Sequence, residues 1–266
     1  MSITLPARAK LNLDLAILGR RSDGYHDVRT TLQAIDLHDL VTITHAEQTS
    51  LTTSGLPITK PGESSVLKAI AALEQAANRR LPTHVHLHKR IPPGSGMGGA
   101  SSDAAATLKA AAALHHITAD QYKIATTIGA DVPFFLTGGT ALAEQRGDHL
   151  TPLATQPQWF AIAWPGVELP TPDVYRAWDA MEKSPNHARN QLTEAAMSIE
   201  PLLREFANLL NSHQNGWQMT GSGSAFFLRC DGKQAEQAEE AAHDAVEGLR
   251  SLKCWTAIAQ SVGRWD

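Results

Sequence analysis

Lys89-Arg90-Ile91-Pro92-Pro93-Gly94-Ser95-Gly96-Met97-Gly98-Gly99-Ala100-Ser101-Ser102-Asp103 sets four glycines within six residues and runs straight into two serines and an alanine-rich segment. A glycine loop that ends at a helix N-terminus turns several backbone N–H groups one way, and the helix end adds about half a unit of positive charge. Such a nest suits a phosphate group. The stretch therefore points to a phosphorylated small molecule, a nucleotide first of all. Gly94, Gly96 and Gly99 also satisfy G-x-G-x-x-G, but the dinucleotide fingerprint follows a first strand and has an acidic residue ~20 positions on, at the end of the next strand. Here Pro92-Pro93 precedes the loop, and Thr118-Ala119-Asp120 reads as a helix N-cap. No G-x-x-x-x-G-K-[ST] occurs, which excludes a Walker A loop.

The rest of the chain sets bounds. Its 266 residues suffice for one large domain or two ordinary ones, and its 42% hydrophobic and 19% charged residues are those of a globular protein. A formal net charge of −4 gives no reason to expect nucleic-acid or anionic-membrane partners, so an anionic ligand needs a local cluster of Lys and Arg. Cys230 and Cys254 have no metal-ligand spacing and imply no disulfide framework. The start of the chain lacks a secretory pattern and no apolar run reaches ~18 residues, so the expected location is cytoplasmic.

Along the chain, alternation predicts strands at 11–18, 83–89, 140–144, 149–153, 159–165 and 254–261, with one or two more over 30–43 broken near Asp36–Asp39. Residues 19–26 read as a turn-rich connection. Helical periodicity covers 64–78, about 101–115, 119–128, a region from 171 to 181, most of 191–210, and 233–252. Residues 216–229 hold a second glycine turn between apolar stretches. Strands and helices interleave without a strict β-α-β repeat, which favours α+β. The proline-bearing, weakly apolar stretch 151–157 marks a domain boundary.

Two further segments flank the loop in order: Pro6-Ala7-Arg8-Ala9-Lys10-Leu11-Asn12-Leu13 and Met219-Thr220-Gly221-Ser222-Gly223-Ser224-Ala225-Phe226. This three-motif layout resembles the GHMP kinases, which include galactokinase, homoserine kinase, mevalonate kinase and phosphomevalonate kinase. Gly19-x-Arg21-x-Asp23-Gly24-Tyr25-His26 is similar to the branch that acts on a cytidine diphosphate-linked methylerythritol, and 129–135 and 165–172 fit that branch as well. Met97, Ala100 and Ser64 depart from its usual Leu, Gly and Asn, and Asn190-Gln191-Leu192 stands where Asn-Asp-Leu is usual. The resemblance implies a two-domain α+β fold. An ATP-binding domain over residues 1–155 would resemble ribosomal protein S5 domain 2, and residues 156–266 would form a ferredoxin-like sandwich.

The same resemblance implies transfer of the γ-phosphoryl of ATP to the 2-hydroxyl of that substrate. Asp131 would take the hydroxyl proton and Lys10 would stabilise developing charge. Taken alone, Asp131 reads equally as a helix-terminal Asp, and Lys10 more commonly as a surface lysine at a strand start. Lys89, Pro93, Gly94, Gly96, Met97, Gly98, Gly99, Ser101 and Ser102 would form the ATP cradle. Mg²⁺ would be held largely by the ATP phosphates and water, with the Ser101 or Ser102 hydroxyl able to approach it directly or through a water. Asn12 would face the methylerythritol hydroxyls. Tyr25, His26, Tyr175 and Thr171 would form the cytidine pocket, with Gly221 and Ser222 near substrate phosphate. The expected state is a monomer or weak homodimer. His84, His86 and His88 share one strand face, which reads as a solvated face ahead of a metal site. The rival readings are another small alcohol as substrate, a nucleotide sensor without catalysis, and a nicotinamide-dependent oxidoreductase.

Overall fold

The computed structural model of the chain describes residues 1–57, 64–181, 189–232 and 234–265. β1 (Ser2–Asn12), β2 (Ala16–Arg20), β3 (His26–His45), β4 (Ser50–Gly55), β5 (Thr83–Lys89), β6 (Thr140–Gln145) and β7 (His149–Leu153) make one sheet. β3 is its spine: its first half pairs β2 and β6 and its second half pairs β1 and β5, all antiparallel. β4 lies parallel to β5 at one edge, and β7 closes the other on β6. This mixed pattern is not the parallel sheet of a dinucleotide-binding fold. α1 (Ser65–Ala77), α2 (Gly99–Leu114), α3 (Gln121–Ile128) and the short α4 (Phe134–Thr137) cover one face. Ser64 caps α1, its hydroxyl accepting from the Val66 N–H, and Asn78 ends it in the left-handed conformation. α2 is buried almost all round, and its alanines let it lie close to the sheet.

The second sheet has the order β11 (Trp255–Gln260), β8 (Trp159–Trp164), β10 (Phe226–Cys230), β9 (Gln218–Met219), with antiparallel pairs throughout. α5 (Thr171–Ala180), α6 (Thr193–Ile199), α7 (Leu202–His213) and α8 (Ala235–Glu247) complete this half. β8 reads as an unbroken apolar run because both its faces are covered. Ala161 and Ala163 share a core with Leu203 and Ala242, whereas Phe160 and Ile162 join Ala9, Leu11 and Ile35 of the first sheet and Ile91 and Met97 of the glycine loop. The loop is thus built into the seam between the sheets. The chain end returns to the first sheet: Val262 N–H donates to the Ala34 carbonyl and Trp265 N–H to that of Thr137, both at 2.9 Å.

Several expected elements differ in detail. The strand expected over 11–18 is two strands interrupted at 13–15. β3 runs as one strand through Asp36–Asp39, and the irregularity expected there takes the form of a register shift: between the pairs Arg8–His38 and Lys10–Ala34, Ala9 of β1 faces Ile35, Asp36 and Leu37 of β3. Asp39 is fully buried yet satisfied within the fold. The helix expected over 191–210 is broken at Glu200-Pro201, where proline opens α7. Lys233, expected to start the last helix, lies outside the described residues. His84, His86 and His88 interleave with Ser50, Thr52 and Ser54 of β4 in a hydroxyl–imidazole ladder at 2.9–3.2 Å. No group of three metal-ligating side chains occurs among the described residues.

Candidate active site

A cavity of about 1020 Å³ opens over the glycine loop. The loop is held from both sheets: the Lys10 N–H donates to the Met97 carbonyl and the Ala225 N–H to that of Ser95, both at 3.0 Å. Gly98 occupies the cap position of α2 at φ +73°, and a Cβ there would come within 2.7 Å of the Phe135 ring. With no side chain to cap them, the amides that open α2 have no intrahelical acceptor and face the cavity end. That bare, positively polarised turn fits a phosphate chain. Pro93, Gly94, Gly96, Gly98, Gly99 and Ser101 line the cavity. Met97 and Ser102 do not. The Met97 side chain is buried in the inter-sheet core, and Ser102, one residue or ~100° further round α2 than Ser101, turns inward.

Lys89 reaches the cavity wall from below the loop, but its ammonium is taken up by Asp39 and by Asp103 Oδ2, the latter at 2.8 Å. The other Asp39 oxygen accepts the N–H groups of Arg90 and Ile91, fixing how the chain leaves β5. Burial works against the Lys89 charge, but Asp103 and Asp39 more than offset it and raise its pKa. Asp103 Oδ1 is buried and makes no hydrogen bond. Lys89 thus anchors the loop from beneath.

Lys10, Asn12, Asp131 and Gly221 meet over the loop. The Lys10 ammonium donates to Asn12 Oδ1 and to the Gly96 carbonyl. Burial lowers its pKa, and the Asp131 charge opposes that shift without a direct ion pair. The Asn12 amide also donates to Thr30 Oγ1 at 2.8 Å, so this residue chiefly positions Lys10 and keeps one amide proton for a ligand. Asp131 stands in the turn between α3 and α4, beside Gly147. Gly221 sits at φ +56°, where a Cβ would lie 3.1 Å from Lys10 Nζ. Its carbonyl is held by buried Asn190 at 2.8 Å.

At the far end, His26 is buried and stacks on Tyr175 with ring centroids 4.8 Å apart. Burial, with the Asp131 charge adding to it, pushes the Tyr175 phenol well up and keeps it protonated. Thr171 and Ser222 share a 2.8 Å hydrogen bond across the cavity wall. Tyr25 is 56% exposed, with the Arg146 guanidinium 5.3 Å over its ring, so it stands at the mouth of the cavity rather than in the His26 stack.

The family profile described as GHMP kinases N terminal domain matches residues 64–139. The chain is 36% identical over 245 residues to the 4-diphosphocytidyl-2-C-methyl-D-erythritol kinase of Delftia acidovorans, covering 84% of this chain and 85% of that one. Its identity to the Thermus thermophilus protein of the same name is 36% over 255 residues, covering 88% and 90%. The chain belongs to the 4-diphosphocytidyl-2-C-methyl-D-erythritol kinase family. A crystal structure of a 4-(cytidine 5'-diphospho)-2C-methyl-D-erythritol kinase superposes with a TM-score of 0.78 at 33% identity, covering 98% of this chain and all of that one. Homoserine kinase from Cytophaga hutchinsonii, at 16% identity and TM-score 0.69, shares the fold. Membership makes this chain a phosphotransferase of the GHMP group with ATP as phosphoryl donor.

Against this 4-diphosphocytidyl-2-C-methyl-D-erythritol kinase frame, the cavity also holds groups that the motifs did not single out. Arg20, Lys68, Arg146 and Arg176 join Lys10 and Lys89, giving six cations against the four carboxylates Asp23, Asp103, Asp131 and Asp179. Such a local excess, in a chain of net charge −4, suits a polyanion. Arg146 was legible only as a cation between the strands expected over 140–144 and 149–153. Lys68 was legible only as a residue of the helix expected over 64–78.

Proposed function

We propose that this chain transfers the γ-phosphoryl group of ATP to the 2-hydroxyl of 4-diphosphocytidyl-2-C-methyl-D-erythritol. The observation that carries the reading is a single cavity that opens on the glycine cradle, on Lys10 with Asp131, and on the His26–Tyr175 stack. The loop amides and α2 N-terminus hold the triphosphate. Asp131 accepts the hydroxyl proton, and the Lys10 ammonium stabilises charge on the transferring group. His26, Tyr175, Thr171 and Tyr25 hold the cytidine, with Ser222 and Gly221 near its diphosphate. The Ser101 hydroxyl is the loop group suited to Mg²⁺, which would neutralise phosphate charge and keep most of its ligands from ATP and water. We take residues 1–155 and 156–266 as the two domains, and a cytoplasmic monomer or weak homodimer as the working form.

ATP consumption with this substrate, with homoserine and with mevalonate tests the reading. Turnover with the first alone is expected, and turnover with one of the others in its place overturns it. Asp131→Asn should lower kcat by at least ~100-fold with ATP affinity retained. Near-normal turnover in that variant removes the proton-acceptor role.

A further inference from the structure

α5 presents Thr171, Tyr175 and Asp179 at four-residue spacing, one above the other on a single face, and all three line the cavity. Asp179 belongs to none of the sequence motifs. Its Oδ1 lies 2.8 Å from His26 Nε2, and its Oδ2 lies 3.7 Å from an Arg20 guanidinium nitrogen. The His26 ring is further fixed by Tyr175 on its face and by Trp178 edge-on at 5.6 Å. Among the described residues nothing hydrogen-bonds His26 Nδ1, although the residue lines the cavity.

A carboxylate can only accept, so the Nε2 that faces it carries a proton. In the neutral ring Nδ1 then has a lone pair and no hydrogen. A base with an amino group on C4 can donate to that lone pair. A base with a carbonyl there meets it with another lone pair, and both atoms lose their water. We propose that Asp179 makes this subsite select a 4-amino pyrimidine over a 4-oxo one, by holding His26 as the Nε2–H tautomer with Nδ1 open as an acceptor. Asp179 is thus a positioning residue that acts through His26. The inference rests on the proposed function for the presence of a pyrimidine nucleotide.

Calorimetric titration of the full chain with CDP and with UDP tests this without turnover. The wild type should bind CDP about 10- to 100-fold more tightly than UDP, the range that one unsatisfied polar contact commands. In Asp179→Asn the amide can offer either oxygen or NH₂ to Nε2, so both tautomers form and the preference should fall below about 3-fold. Asp179→Glu should recover part of it. The ¹⁵N spectrum of His26 gives a second reading on the wild type alone, with Nδ1 expected unprotonated. Equal binding of CDP and UDP, a preference for UDP, a protonated Nδ1, or an unchanged ratio in Asp179→Asn overturns the proposal. A wild type that selects CDP yet phosphorylates no cytidine diphosphate-linked alcohol would instead sink the functional reading.

Discussion

At the scale of single residues, two buried ionisable groups make opposite predictions about pH. The Lys10 ammonium is 4% exposed, and burial holds its pKa below the ordinary 10.5, with Asp131 restoring only part. Burial favours the neutral amine, so the charged form, to which the proposed mechanism gives the stabilisation of developing negative charge, is lost earlier as pH rises. The alkaline limb of kcat/KM should therefore fall below 10.5. Lys10→Arg, whose guanidinium stays charged, should lower kcat and carry that limb out of range. An unchanged limb would assign it to another group. Asp103 differs in sign. Burial pushes its carboxyl up to about 7, with Lys89 opposing and Asp39 adding to the rise. A carboxyl with a raised folded pKa contributes stability below its unfolded value and loses it as pH rises through the folded one. Asp103→Asn, neutral throughout, should gain on the wild type in thermal melts from pH ~4 to ~8, by at most about 4 kcal/mol. A variant that loses ground across that window would show that the pairing with Lys89 outweighs the burial of charge.

At the scale of elements, the place of the Lys10 ammonium depends on two turns that press together. Gly221 leaves room for Lys10 Nζ and for the Gly96 carbonyl, which a Cβ would approach to 3.1 and 2.9 Å. Gly221→Ala should cost about 1–2 kcal/mol for its left-handed φ. It should also displace the ammonium enough to cut kcat by about 100-fold. A melting curve and a single saturating rate measurement check both. The turns and helices were legible because their causes are local: glycine density and the 3.6-residue periodicity of segments such as 64–78. The glycine loop was legible for the same reason, though not that Met97 and Ser102 turn away from the cavity. What escaped reading depends on partners far along the chain. The continuity of β3 rests on backbone pairing with β1, β5 and β6, whose registers no local pattern in 26–45 announces. The surroundings of His26 depend on α5, which reaches it only through the packing of the second half. Met97 sits inside the glycine motif yet turns its side chain into a core supplied by β8, β10 and β11.

At the scale of the whole molecule, the two sheets share a core and exchange chain. Ile35 bridges Ser261, and the Trp265 ring occupies the space over Gly138 where a side chain would stand. A fragment ending at residue 155 would lack these parts and expose Leu11, Ile35 and Met97. Such a fragment should show no cooperative melt and bind no ATP. The intact chain should unfold in one calorimetric transition with matching van't Hoff and measured enthalpies. Two separated transitions would show that the halves are stable apart. The carbonyls of Gly94 and Ser95 accept from Ser224 and Ala225 of the second half, while that of Met97 accepts from Lys10 of the first. The seat proposed for the nucleotide is therefore a joint between halves, and a substitution anywhere along that joint, however remote from the triphosphate, should register as a change in grip on it.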